Sequence, residues 1–169
     1  ANIGMLADEM HKRMQESYTL TGVEISDKMI QLQPKCFPIS LNDVNEIEFY
    51  IDGADEIADD LSLMKGGGGA HTQEKIIASA SKNFLCIAEQ SKMVSSLGSF
   101  PIPVEVLSEA RSFVARKLIA LGGIPKLRHN FTTDQGNEII DLSGMEVDDP
   151  ISLEKNINSI PGVVENGIF

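Results

Sequence analysis

Cysteine, histidine and cationic residues are scarce in this chain, and each shortage narrows what it can do. Cys36 and Cys86 are the only cysteines and stand in no metal-ligand spacing. Cys86 lies inside an apolar run, so both read as buried, reduced thiols of a cytosolic protein. His11, His71 and His129 are the only histidines, too scattered to form a metal cluster. Lysine and arginine number 14 against 25 aspartates and glutamates, which gives a net charge of -11 and an isoelectric point near 4.6. That balance argues against nucleic acid or an anionic membrane as the main partner. No stretch is long and apolar enough to span a membrane, and none reads as a signal peptide. A cytoplasmic location is therefore expected.

What remains is ample for folding. With 169 residues, 42% of them hydrophobic, the chain can bury a core and divide into two modest domains. Residues 1–16 place Ile3, Leu6, Ala7, Met10 and Met14 at helical spacing. A helix that begins at the first residue, with no cap before it, leads us to expect that a preceding segment is missing. Residues 20–25 and 36–41 read as strands around a short helix over 26–33. Residues 47–51 form an apolar and aromatic strand, and 84–88 (FLCIA) another, whose unbroken apolar character fits a sheet covered on both faces.

From residue 102 the pattern changes. Residues 102–107 read as a strand and 108–121 as a helix with Ala110, Phe113, Val114, Leu118 and Leu121 on one face, stopped by Gly122-Gly123. Residues 127–132 and 138–142 flank the turn Asp134-Gln135-Gly136-Asn137 as a hairpin. A helix over 150–160 and a strand over 163–169 follow. This order, β-α-β-β-α-β, is a split ferredoxin-like unit. It carries no reactive cluster, and Arg111, Arg116, Lys117 and Lys126 read as solvated or structural. The expected fold is α/β, with a Rossmann-like layered sheet domain over residues 1–101 and a smaller α+β ferredoxin-like domain over 102–169.

Chemistry-bearing residues concentrate in 46–77. The strand over 47–51 stops at Asp52-Gly53-Ala54-Asp55-Glu56, and ligands of α/β sheets bind beyond the carboxyl ends of strands. Two nearby carboxylates cannot both ionise cheaply, so one of Asp52 and Asp55 would tend to hold a proton while the other stays charged. Lys65 then precedes four consecutive glycines, Gly66 to Gly69. Such a run is tolerated where the backbone takes a positive φ or approaches a ligand closely. Its N–H groups can face developing negative charge, with Lys65 adding a full cation. A nucleotide P-loop is excluded, because that motif needs lysine after the last glycine. A helix starting near Thr72, which would act as N-cap, puts Glu74 in the first turn and turns Ile76, Ile77 and Ala80 inward. His71 lies close by as a helix-start residue.

Each signal has an ordinary reading: a solvated acidic turn, a flexible connector, a first-turn acid that merely suits the helix dipole. Their joint occurrence at the end of a strand favours an active site.

The motifs IDGADEI, MKGGGGA, EKIIA, QSK (Gln90 to Lys92), FPIPVEV (Phe100 to Val106) and TTDQGNEIIDL (Thr132 to Leu142), in this order and spacing, resemble type A ribose-5-phosphate isomerase. The resemblance runs from about Ile47 to Phe169. It implies that Asp52 and Asp55 are active-site aspartates, Lys65 the lysine before the glycine loop, Glu74 the general base and Lys92 a substrate-binding lysine. Gly53, Ala54, Gly66, Gly67 and Gly68 would line the substrate. It further implies a metal-free, cofactor-free interconversion of ribose 5-phosphate and ribulose 5-phosphate through an enediolate, in the non-oxidative pentose phosphate pathway. The partner is then a small-molecule sugar phosphate, which an acidic protein can hold because salt screens charges beyond roughly 8–10 Å. The resemblance also implies a homodimer or dimer of dimers, with the ferredoxin-like domain covering the site or joining subunits. A strand and a phosphate-holding glycine- and threonine-rich loop are expected ahead of residue 1, and a further stretch after Phe169. The chain departs from the family pattern at residues 24–27, at Gln73, where arginine is common, and at His71, where leucine is common.

Two other readings compete. A magnesium-dependent phosphatase with Asp52 as nucleophile needs an aspartate two residues on, where Ala54 stands. A sugar-phosphate sensor would use the same loops to bind without converting.

Overall fold

The computed structural model describes residues 21–23 and 37–169, with side chains from Ile39 onward. The helices expected over 1–16 and 26–33, residues 24–27, His11 and Cys36 lie outside these residues. Contacts divide the chain into two compact units, residues 1–52 with 76–87 and residues 53–75 with 88–169. The division interleaves along the sequence, whereas the sequence reading placed one cut after residue 101.

In the first unit β1 (Thr21–Val23) runs parallel to β2 (Phe37–Ile39). A 3-10 turn over Leu41–Asp43 follows, capped by the Ser40 hydroxyl, which accepts from the Asn42 N–H at 3.2 Å. β3 (Ile47–Asp52) pairs in parallel with β6 (Ser81–Cys86), Asp52 lying opposite Cys86. β6 therefore begins before the expected residue 84. Side chains alternate across a strand pair, and the two faces fare differently. On one, Tyr50 stacks on Phe84 with ring centroids 4.9 Å apart. On the other, Phe49 is 62% and Leu85 50% exposed. The expectation of a sheet covered on both faces is thus not met among the described residues. An unbroken apolar run specifies a strand, not what packs on each of its sides.

The second unit holds two sheets. Short strands β4 (Glu56–Ala58), β5 (Leu63–Met64) and β7 (Met93–Val94) form one, in the order β5-β4-β7. The other is antiparallel, in the order β11-β8-β10-β9, built from β8 (Ile102–Val106), β9 (Ile124–Leu127), β10 (Glu138–Ser143) and β11 (Val163–Asn166). With α2 (Arg111–Ala120) after β8 and α3 (Pro150–Asn158) after β10, this is the expected β-α-β-β-α-β unit. β8 is buried at all five positions, which requires cover on both faces of the strand: Val104 and Val106 lie in the helix-packed core, and Glu105, on the opposite face, bonds Thr72 and Thr133. Val114 and Leu118 of α2 and Ile157 of α3 are buried with Val104, Val106, Ile140 and Leu142. Truncating one such side chain to alanine costs roughly 2–5 kcal/mol. Phe113 and Leu121, expected on the same inward face of α2, are more than a third exposed.

Local chemistry sets the ends of these elements. α3 starts where the Asp149 carboxylate accepts from the Ser152 N–H at 3.0 Å, with Pro150 in the first turn. The hairpin is displaced from its expected register. β9 ends at Leu127, and residues 128–137 form the connection, tightened by the Thr133 N–H donating to the Asn137 carbonyl at 2.9 Å. β11 likewise stops at Asn166, not at 169. Beyond it, Leu63 and Phe169 exchange backbone hydrogen bonds of 2.9 Å, and the Lys65 N–H donates to the Gly167 carbonyl at 2.8 Å. The 167–169 backbone thus lies beside β5 and fixes the residue that follows it.

Candidate active site

Lys65 leaves β5 with its side chain only 3% exposed. A buried ammonium needs partners, and Lys65 has them. It donates to the Gly53 carbonyl at 2.5 Å, stands 3.3 Å from the Glu74 carboxylate, and lies 5.6 Å from the centre of the Phe169 ring. Glu74 keeps a quarter of its side chain open to solvent, so an acid–base group is held against a fixed cation at an accessible edge.

The glycine loop makes this approach possible. Gly66 has φ +100, and a Cβ there would fall within 2.9 Å of the His71 ring, so only glycine fits. The Gly69 N–H closes the turn onto the Gly66 carbonyl at 2.9 Å. The Gly67 N–H donates to the Asp55 carboxylate at 2.8 Å. That amide, expected to face substrate oxygens, is therefore taken by Asp55. Gly68 is exposed, and a Cβ there would meet nothing within 4 Å.

α1 (His71–Ala80) starts one residue before the expected Thr72. Thr72 does not cap it: its hydroxyl donates to Glu105 of β8. Ile77 is buried as expected, but Ile76 is 47% exposed and Ala80 is exposed as well. Adjacent residues on a helix cannot share one narrow buried stripe. Glu74 keeps its first-turn place, where the helix dipole favours a carboxylate. Gln73 accepts from Gln135 at 3.2 Å.

Asp52 ends β3 in the first unit, where the Tyr50 hydroxyl donates to its carboxylate and the Ile87 N–H to its carbonyl. Asp55 and Ala54 are half-buried in the second unit, and the Asp55 N–H donates to the Met64 carbonyl at 2.7 Å. Lys92 ends the 3-10 turn Gln90–Lys92. It is half-buried, and its ammonium has no hydrogen-bond or ion-pair partner among the described residues. Cys86, expected to be buried, is half-buried.

Two groups near the loop are structural. His71 is wholly buried, its Nε2 3.4 Å from the Glu165 carbonyl. Burial pushes its pKa below the ordinary histidine value despite the nearby Glu105. Lys75 pairs with Glu165 at 2.8 Å and Glu154 at 3.2 Å. Burial would raise the Glu165 pKa, yet the hydrogen bonds from Lys75 and Asn158 outweigh it and hold the carboxylate below its usual range.

The sequence reading passed over two residues of the α+β unit. Glu105, wholly buried, accepts from the hydroxyls of Thr72 and Thr133 (2.7 Å for the latter) and from the Asn137 amide at 2.8 Å. A lone charge inside the apolar run IPVEV was the signal. Arg128 forks onto Asp141 and also donates to the carbonyls of Gly66 and Gly67. Nothing local in the sequence marked it. Among the described residues no group of three or more His, Cys, Asp or Glu is arranged to hold a metal ion, and no helix is long and apolar enough to cross a membrane.

Comparison with known proteins places this geometry among relatives. The family model of ribose 5-phosphate isomerase A (phosphoriboisomerase A) matches residues 21–169. Ribose-5-phosphate isomerase A of Neisseria meningitidis serogroup B (strain ATCC BAA-335 / MC58) is 57% identical over 131 residues, covering 78% of this chain and 59% of that protein. The chain thus spans less than two thirds of the length of that curated relative. The structure of ribose 5-phosphate isomerase A from Methanocaldococcus jannaschii matches with a TM-score of 0.90 at 41% identity, over 100% of this chain and 79% of that one. A D-ribose-5-phosphate isomerase in complex with phospho-erythronic acid matches with a TM-score of 0.89 at 35% identity, over 98% and 76% of the two chains.

Proposed function

The chain belongs to the ribose 5-phosphate isomerase A family, and we propose that the protein carrying it interconverts D-ribose 5-phosphate and D-ribulose 5-phosphate through an enediolate, without a metal or cofactor. The observation that carries this reading is the Lys65–Glu74 pair at the edge of the glycine loop. An aldose–ketose interconversion needs a base that lifts a proton from C2 and a positive group beside the oxygens that gain charge as it leaves. Glu74 takes the C2 proton of the open-chain aldose and returns it at C1. Lys65 and the Gly68 N–H stabilise the enediolate oxygens.

Asp55 positions the loop through Gly67, and Asp52 moves the hydroxyl protons or assists ring opening. Gly53, Ala54, Gly66 and Gly67 shape the surface against the substrate. Lys92, with no partner among the described residues, suits an anionic group of the substrate. Positioned acid–base catalysis contributes roughly 10²–10⁴-fold and an oxyanion donor roughly 10²–10³-fold, so neither alone accounts for an isomerase. The phospho-erythronic acid in the related structure supports a sugar phosphate as substrate, since it is itself a phosphorylated polyhydroxy acid.

The reading keeps residues 1–101 as the catalytic domain and 102–169 as a smaller α+β ferredoxin-like domain. It also places the protein in the cytoplasm as a homodimer or dimer of dimers, within the non-oxidative pentose phosphate pathway. Incubation with ribose 5-phosphate and detection of ketose tests it. Ketose formation is expected; binding without conversion would leave the sensor reading in its place.

A further inference from the structure

We propose that Arg128 is a positioning residue for the isomerisation, setting the orientation of the glycine-loop peptides from the far side of the loop. The inference rests on the functional reading above and extends it to a residue outside the 46–77 stretch.

The geometry is specific. The Arg128 guanidinium sits 5.3 Å from the centre of the Phe131 ring. Its Nε and Nη2 donate to the Asp141 carboxylate at 3.0 and 2.5 Å. This leaves Nη1 aimed at the loop, 3.2 Å from the Gly66 carbonyl and 3.3 Å from the Gly67 carbonyl. The Gly66–Gly67 peptide is therefore held at both ends: its carbonyl accepts from Arg128, and its N–H donates to Asp55. A cation at the carbonyl end and a carboxylate at the amide end both align with the peptide dipole. A flip of that peptide would turn a carbonyl oxygen onto Asp55. The carbonyl contact at Gly67 fixes the next peptide in the same sense and turns the Gly68 N–H away from Arg128, toward the open side of the loop.

Consecutive glycines have little intrinsic preference among these orientations, so the loop needs an external constraint. Lysine cannot replace it. A single ammonium has no fork with one edge for Asp141 and another for the carbonyls. Phe131 adds to the constraint by packing where a Cβ on Gly69 would fall.

The test compares the full protein with Arg128→Lys and Arg128→Ala, using Arg111→Ala as control because Arg111 pairs with Glu138 of the same sheet and makes no contact with the loop among the described residues. For both Arg128 variants kcat/KM should fall about ten- to a hundredfold, mostly in kcat, as expected of a small misplacement of catalytic groups. The dissociation constant of phospho-erythronic acid, read by calorimetry, should rise by a similar factor. The thermal unfolding midpoint should shift no more than in Arg111→Ala, and ethylguanidinium should restore part of the activity of Arg128→Ala. Unchanged kcat/KM in Arg128→Lys would overturn the proposal, and so would a loss of activity with analogue binding intact. Should Arg128→Ala not fold, Arg128→Lys alone decides. Should the parent protein make no ketose, the functional reading fails, and the calorimetric comparison still decides whether Arg128 orders the loop.

Discussion

The ammonium of Lys65 and the carboxylate of Glu74 face one another at 3.3 Å, the lysine buried and the glutamate partly open to solvent. Lys65 is immobilised by β5, by the 167–169 backbone and by the Gly53 carbonyl. Glu74 is carried by the first turn of α1. The Glu74 carboxylate is thus oriented by a cation that itself has little freedom to move.

Replacing Glu74 with glutamine keeps the side chain's size and its place in the helix but removes its basicity. Turnover should drop at least about a hundredfold while substrate still binds. Steady-state kinetics with calorimetric binding checks this, and turnover within a few-fold of the parent would remove Glu74 from the role of base.

Gly67 and Gly68 should respond differently to alanine. A Cβ on Gly67 would fall 2.8 Å from an Asp55 carboxylate oxygen, whereas one on Gly68 meets open space. Gly67→Ala should displace Asp55 and lower kcat/KM by about tenfold or more. Gly68→Ala should leave the thermal unfolding midpoint in place. Equal stability and equal activity of the two variants would contradict the packing described.

Glu105 tests the buried network behind the helix start. Alanine there leaves two hydroxyls and an amide without their acceptor. Unsatisfied buried groups each cost roughly 1–3 kcal/mol, so Glu105→Ala should destabilise the protein by about 3 kcal/mol, read from urea midpoints. A loss of only a few tenths would mean that water replaces the carboxylate.

His71 should give the protein an acid-side weakness. Its native pKa lies below the ordinary 6.5, so as pH falls through that value the unfolded chain takes up the proton before the folded one. Its contribution is fully present above about pH 6.5, declines below it, and levels off once the native pKa is passed. Urea midpoints for the parent and His71→Leu should run parallel at the neutral end, whatever offset the change in packing sets, with the parent falling more steeply on acidification. Curves that stay parallel on acidification would show that His71 is not the group responsible.

The sequence by itself determined the parts that are local. The order β-α-β-β-α-β after residue 102 was legible because alternation, helical spacing and glycine stops are written into consecutive residues. The strand ending at the DGADE turn, the lysine before the glycines and a glutamate in the next helix's first turn were legible for the same reason. Only the tertiary structure decided what depends on partners distant along the chain. It showed that Thr72 serves Glu105 instead of capping its helix and that Asp55 takes the Gly67 amide. It also showed that the apolar strands β3 and β6 leave Phe49 and Leu85 open, and that Arg128, 62 residues beyond Gly66, holds the loop. A hydrogen-bonding side chain leaves no periodic trace in sequence, because its partner is chosen by the packing of whole elements.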